Sequence, residues 1–137
     1  MKLNTYLQFN GNCEEALKFY EKALGAKLVF MMRYGEAPAS EQCSKEMAAK
    51  IMHGRIVAGD NVLMASDCPP DRYQPPGGFS ISVNVDSAAE AERYFAALSE
   101  KATICMPIGE TFWAERFGML TDQFGVSWMV NCEKKNY

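Results

Sequence analysis

Asp67-Cys68-Pro69-Pro70-Asp71-Arg72-Tyr73-Gln74-Pro75-Pro76-Gly77-Gly78 decides how the rest of the chain is read. It holds four of the six prolines and a Gly pair. Proline fixes φ and removes a donor, so this stretch is neither core helix nor central strand. It cuts the chain into two nearly equal halves. The expected organisation is a single domain, 1-137, with a first module at 1-67, a linker at 68-78 and a second module at 79-137.

The halves repeat one pattern at a constant spacing. Leu7 and Phe9 fall against Ile81 and Val83, Asn12 against Asp86, and Tyr20 against Tyr94. Leu28, Phe30 and Met32 fall against Ala102, Ile104 and Met106. The agreement is one of order, a strand, a cap, a helix and a strand. Asn12 reads as an N-cap, with Glu15 completing a capping box. Cys13, Ala16, Leu17, Tyr20, Ala23 and Leu24 then recur at helical spacing until Gly25 stops the helix. Asp86 reads as the second cap, before a stripe of Ala88, Ala91, Phe95 and Leu98.

Each half continues with two strands joined by a turn. Ile51 to Val57 leads through Gly59-Asp60-Asn61 into Val62 to Ala65. Glu115 to Thr121 leads through Asp122 to Gly125 into Val126 to Asn131. An insertion from Gly35 to Lys50 reads as a mobile loop with a short helix near Ser44 to Ala49. Strands outnumber helices and hairpins dominate, so the class is α+β, two tandem βαβββ modules. Each sheet has one face its helix does not cover, and a cleft between curved sheets is the expected place for a small-molecule ligand.

Composition narrows the function classes. The chain has 137 residues, 48% of them apolar, which is enough to build a core without a disulfide or structural metal. The net charge of -3 and the absence of a Lys/Arg cluster argue against a nucleic-acid partner. No apolar run has signal-peptide or membrane-span character. Five cysteines, none in a Cys-x-x-Cys pair, read as free thiols of a cytoplasmic protein.

Candidate site residues follow from chemistry. His53 is the single histidine. It opens the third strand of its module, and Glu115 opens the matching strand of the other. A His–Glu pair can accept and pass a proton, because the carboxylate orients the ring; the competing reading is a strand His and a Glu paired with Arg116 or Arg55. Phe112, Trp113 and Trp128 form an aromatic group suited to lining a pocket, although Trp128 alternates with Val126 and Val130 as a core residue would. Met64 belongs to a set of strand methionines that fit either an adaptable cleft or a core. Asp67 reads as a ligand group or as the start of the linker turn.

Three segments resemble a known family. They are Tyr6 to Tyr20 with Leu24-Gly25, His53 through Gly59-Asp60 to Asp67, and Glu110-Thr111-Phe112-Trp113-Ala114-Glu115-Arg116-Phe117-Gly118 continuing to Trp128. The chain resembles the vicinal oxygen chelate superfamily of glyoxalase, bleomycin-resistance and extradiol dioxygenase proteins. Within it the closest likeness is to the PhnB-like branch, often labelled 3-demethylubiquinone-9 3-methyltransferase-like. The resemblance implies paired βαβββ modules, a U-shaped cleft and a homodimer. It also implies a divalent metal in that cleft, held by one side chain from each of four strands. The matching positions here are Thr5, Met64, Phe79 (or Ser80) and Met129. None of these is a good divalent-metal ligand, and a thioether suits soft ions, so no metal site is expected and the cofactor is unknown. No Gly-rich loop follows a parallel strand, as a Rossmann-type methyl-donor site would require. Two functions stay open: a protein that binds a small molecule, and an enzyme using His53 and Glu115 on a small metabolite.

Overall fold

The computed structural model describes residues 1–38 and 44–136. The chain divides into two compact units, Met1–Gln74 and Pro75–Tyr137, with the boundary inside the Pro/Gly-rich stretch.

The first unit runs β1 (Thr5–Phe9), α1 (Cys13–Leu24), β2 (Lys27–Arg33), β3 (Ile51–Ala58) and β4 (Asn61–Asp67). Its sheet has the order β1-β4-β3-β2, with β1 parallel to β4 and the other pairs antiparallel. The second unit runs β5 (Ile81–Asn84), α2 (Ala88–Leu98), β6 (Thr103–Gly109), β7 (Ala114–Thr121) and β8 (Ser127–Glu133). Its sheet repeats the scheme as β5-β8-β7-β6, with β5 parallel to β8. Both units are therefore βαβββ modules, and the α+β class holds.

The helices form where the apolar stripe places them. In α1, Cys13, Ala16, Leu17, Tyr20 and Ala23 are all buried, and Gly25 closes the helix in the left-handed region at φ 64°. In α2 the buried stripe is Ala91, Phe95 and Leu98. Each helix rests on a glycine of the third strand of its module. Leu17 Cδ1 occupies the space a Cβ at Gly54 would need, and Phe95 does the same at Gly118. The bare backbone at these two points lets the helix approach the sheet.

Three local expectations change. Asn12 precedes α1, but its side chain makes no cap hydrogen bond. The amide of Cys13 is taken instead by the Asp67 carboxylate, 2.9 Å away. At α2 the cap is Ser87, not Asp86: its Oγ accepts from the Glu90 amide and donates to the Glu90 carboxylate, both at 3.2 Å. Residues 45–49 form turns with i to i+3 bonds rather than the expected helix, while Tyr34–Glu36 make one 3-10 turn. Residues 39–43 of the expected loop lie outside the described residues.

The repeat is also offset from the spacing read in the sequence. Leu7 pairs with Ala65, which pairs with Gly54. Val83 pairs with Val130, which pairs with Gly118. The counterpart of Leu7 is thus Val83, two residues beyond Ile81. By the same glycine anchor the counterpart of His53 is Phe117, not Glu115.

Candidate functional site: the open face of the first sheet

Strand side chains alternate between faces, and paired residues share one. The row Met31, Gly54, Ala65 and Leu7 crosses all four strands on the side that α1 covers. The next row, Phe30, Arg55, Met64 and Tyr6, therefore crosses on the opposite, open side. Met32 and His53 pair on that side too, as do Gln8 and Ser66.

His53 is the centre of this face. Its Nδ1 lies 3.0 Å from the Tyr6 hydroxyl. The two rings stack at 5.6 Å between centroids with 23° between planes. Phe30 flanks the imidazole from the other side, at 5.7 Å and 47°. When the Tyr6 hydroxyl donates to Nδ1, the ring proton resides on Nε2, which is then the donor nitrogen. Tyr6 on β1 and Phe30 on β2, the two edge strands, are both close to half exposed. Arg55 stands one row from His53 and is exposed. Among the described residues no Asp or Glu stands on the open-face rows; the basic residues there are His53, Arg55 and, at the end of β2 paired with Val57, Lys27.

The other sequence candidates fall into different surroundings. Met64 lies in the open-face row beside Tyr6. Asp67 is fully buried, and both of its oxygens serve the fold: Oδ1 accepts from the Cys13 amide and Oδ2 from the Ile51 amide, each at 2.9 Å. Trp128 is core, with its Nε1 donating to Asp122 Oδ2 at 2.8 Å. Asp122 Oδ1 also accepts the amides of Phe124 and Val126, so one buried carboxylate organises the β7–β8 turn. Trp113 packs edge-on against Phe112 and Phe117, with centroids 5.0 and 5.3 Å away, and Phe112 is largely exposed.

Glu115 sits where the β7–β8 register shifts, between Ala114 and Arg116. Its carboxylate accepts from the Cys132 thiol at 3.8 Å, and Arg116 pairs with Glu92 at 2.9 Å. Burial first, and then the Glu115 charge, push the Cys132 thiol pKa up. Cys13 is likewise pushed well up, by burial and then by Asp67. Both thiols are poor nucleophiles in the folded chain.

The four positions aligned to metal ligands do not make a ligand set. Thr5 pairs with Leu63 in a row buried on the α1 side, whereas Met64 belongs to the open face. In the second unit Met129 pairs with Ser82, while Phe79 precedes β5 and Ser80 Oγ bonds Ser127 Oγ at 2.6 Å. Among the described residues no three His, Cys, Asp or Glu side chains are grouped to hold a metal. A hydroxyl, thioethers and a phenyl ring do not suit the divalent ions the superfamily is associated with. No helix among the described residues is long and apolar enough to cross a membrane.

Two βαβββ modules with this strand order define a class, and comparison with known proteins gives the same answer. The model of the Glyoxalase/Bleomycin resistance protein/Dioxygenase superfamily matches residues 2–130, and the chain belongs to that family. It is 37% identical to Protein YjdN of Escherichia coli K12, over 98% of this chain and 97% of that protein. The crystal structure of protein PA1353 from Pseudomonas aeruginosa matches with a TM-score of 0.90 and 51% identity, covering 97% of this chain and 98% of that one. A Bacillus cereus PhnB protein, described as a putative 3-demethylubiquinone-9 3-methyltransferase, matches at 0.79 and 26% identity, covering 96% and 99%. The chain is thus PhnB-like within the superfamily.

Tyr6, Phe30 and Arg55 were not among the sequence candidates. The signal for Tyr6 was present: it alternates with buried Leu7 and Phe9, so it had to be an aromatic on the other face. Its partnership with His53 depends on β1 lying beside β4, which no local pattern reveals.

Proposed function

We propose that this protein binds a small molecule on the open face of its first sheet, held by its own side chains around His53. The observation that carries the reading is the Tyr6–His53 bond inside a set of half-exposed rings. Exposed aromatics cost solvation unless they serve a contact, and a hydrogen-bonded imidazole among them offers orientation as well as area. Met32 and Met64 border the rings with side chains that adapt to shape.

Binding is favoured over acid/base catalysis by a specific observation. The enzyme reading rested on His53 and Glu115 being equivalent in the two modules. The strand pairing makes Phe117 the counterpart instead, and the Glu115 carboxylate is engaged with Cys132. Self-association belongs to the same proposal. β2 and β6 are edge strands with exposed Val29, Ile104 and Met106, the kind of surface a second copy covers.

The test is methionine-methyl NMR during titration with a mixed set of aromatic and aliphatic fragments. Fragments that bind should shift the Met32 and Met64 methyls, and the shifts should vanish in His53→Ala. Binding that leaves those methyls and the His53 ring untouched would remove the proposal.

A further inference from the structure

We infer that the ligand of this face is a planar aromatic or heteroaromatic molecule carrying an anionic oxygen group. The inference rests on the open face of the first sheet being the binding face, and adds what kind of molecule it selects.

Two independent features carry it. The first is charge. The protein as a whole is acidic, with a net charge of -3. The open-face rows run against that balance: among the described residues their basic side chains are His53, Arg55 and Lys27, and no carboxylate stands with them. Among the described residues Arg55 makes neither an ion pair nor a side-chain hydrogen bond, whereas Arg33 bonds Glu14 and Arg116 bonds Glu92. With the Tyr6 hydroxyl donating to His53 Nδ1, the imidazole Nε2–H and the Arg55 guanidinium, two residues along the same strand face, are a pair of donors, and a carboxylate or phosphoryl group is the acceptor that satisfies both.

The second feature is shape. Tyr6 and His53 lie nearly parallel, and Phe30 is tilted toward them. With Arg55 in the same strand-crossing row as Phe30 and Tyr6, the face joins flat apolar surface to a cation. An aliphatic acid would use the cation and waste the rings, and a neutral aromatic would do the reverse. A flat molecule with an anionic edge uses both.

The experiment is calorimetric titration of the full-length protein with three probes, 2-naphthoate, 2-naphthamide and cyclohexanecarboxylate. The naphthoate should bind at least tenfold more tightly than either of the others. Arg55→Gln, an exposed substitution that leaves the fold intact by circular dichroism, should remove most of the naphthoate's advantage over the amide and leave the amide unchanged. Equal binding of naphthoate and amide, with both weakened in His53→Ala, would overturn the anionic assignment while the binding face stands. Equal binding of naphthoate and cyclohexanecarboxylate would overturn the aromatic part. Absence of any shift in the Met32 and Met64 methyls with all three probes would overturn the inference together with the binding face.

Discussion

The carboxylate of Asp67, the last residue of β4, accepts the backbone amide of Cys13, the first residue of α1, across 2.9 Å of buried space. Its other oxygen takes the amide of Ile51 at the start of β3. One side chain thus ties a helix start and two strand ends. A negative group at a helix N-terminus meets both the unpaired amides and the dipole there. The role that sequence assigns to Asn12 is performed from more than fifty residues away.

Asp67→Asn should lower stability by about 2–3 kcal/mol, because the amide nitrogen of Asn sets a donor against one of the two buried N–H groups. Urea unfolding followed by fluorescence checks this. The midpoint should fall while the slope stays constant. A loss under about 0.5 kcal/mol would mean that Asp67 is not the helix clamp described.

The glycines under the helices give a second expectation. A Cβ at Gly118 would come within 2.6 Å of Phe95 Cε2 and 3.0 Å of the Ile108 backbone. Gly118→Ala should cost about 1–3 kcal/mol through overpacking. Combining it with Phe95→Leu should recover part of that cost, so the two changes will not add. Simple additivity in the double-mutant cycle would show that the helix does not rest on Gly118.

The thiols supply a pH-dependent expectation. Burial raises the pKa of Cys13 and Cys132, so at pH 8 neither carries a useful thiolate fraction. Cys105 is exposed on the edge strand β6. Iodoacetamide at pH 8 followed by peptide mapping should modify Cys105 at least tenfold faster than Cys13 or Cys132. Denaturant should abolish the difference. Raising the pH within the native range should leave the two buried thiols protected.

The legibility of the sequence can be judged from these same residues. The α1 stripe and its Gly25 stop were readable because a 3.6-residue period and a left-handed cap are local signals. The α2 start slipped by one because Asp86 and Ser87 are both good cap residues, and only the backbone decides between them. The repeat slipped by two at β5. A shift of two preserves which face each side chain occupies, so alternation cannot detect it. The pairing of His53 with Glu115 rests instead on taking both as strand openings, whereas β3 begins at Ile51 and β7 at Ala114. His53 itself was readable as the single histidine. Tyr6 as its partner was not, since the contact exists only once β1 lies beside β4.

That placement of β1 also orders the birth of the first module. In the growing chain Thr5 to Phe9 is synthesised before anything it will pair with. α1, β2 and β3 all emerge while β1 has no neighbour, since its one hydrogen-bonded partner is the last strand of the unit. The clamp on Cys13 waits for the same residues, because Asp67 closes β4. A nascent chain halted before β4 therefore holds an unzipped strand and a helix without its anchor. Completion of β4 supplies both at once, in a single late step of high contact order. The second module repeats the arrangement with β5 and β8, so the polypeptide passes twice through an interval in which the first strand of a module is bare.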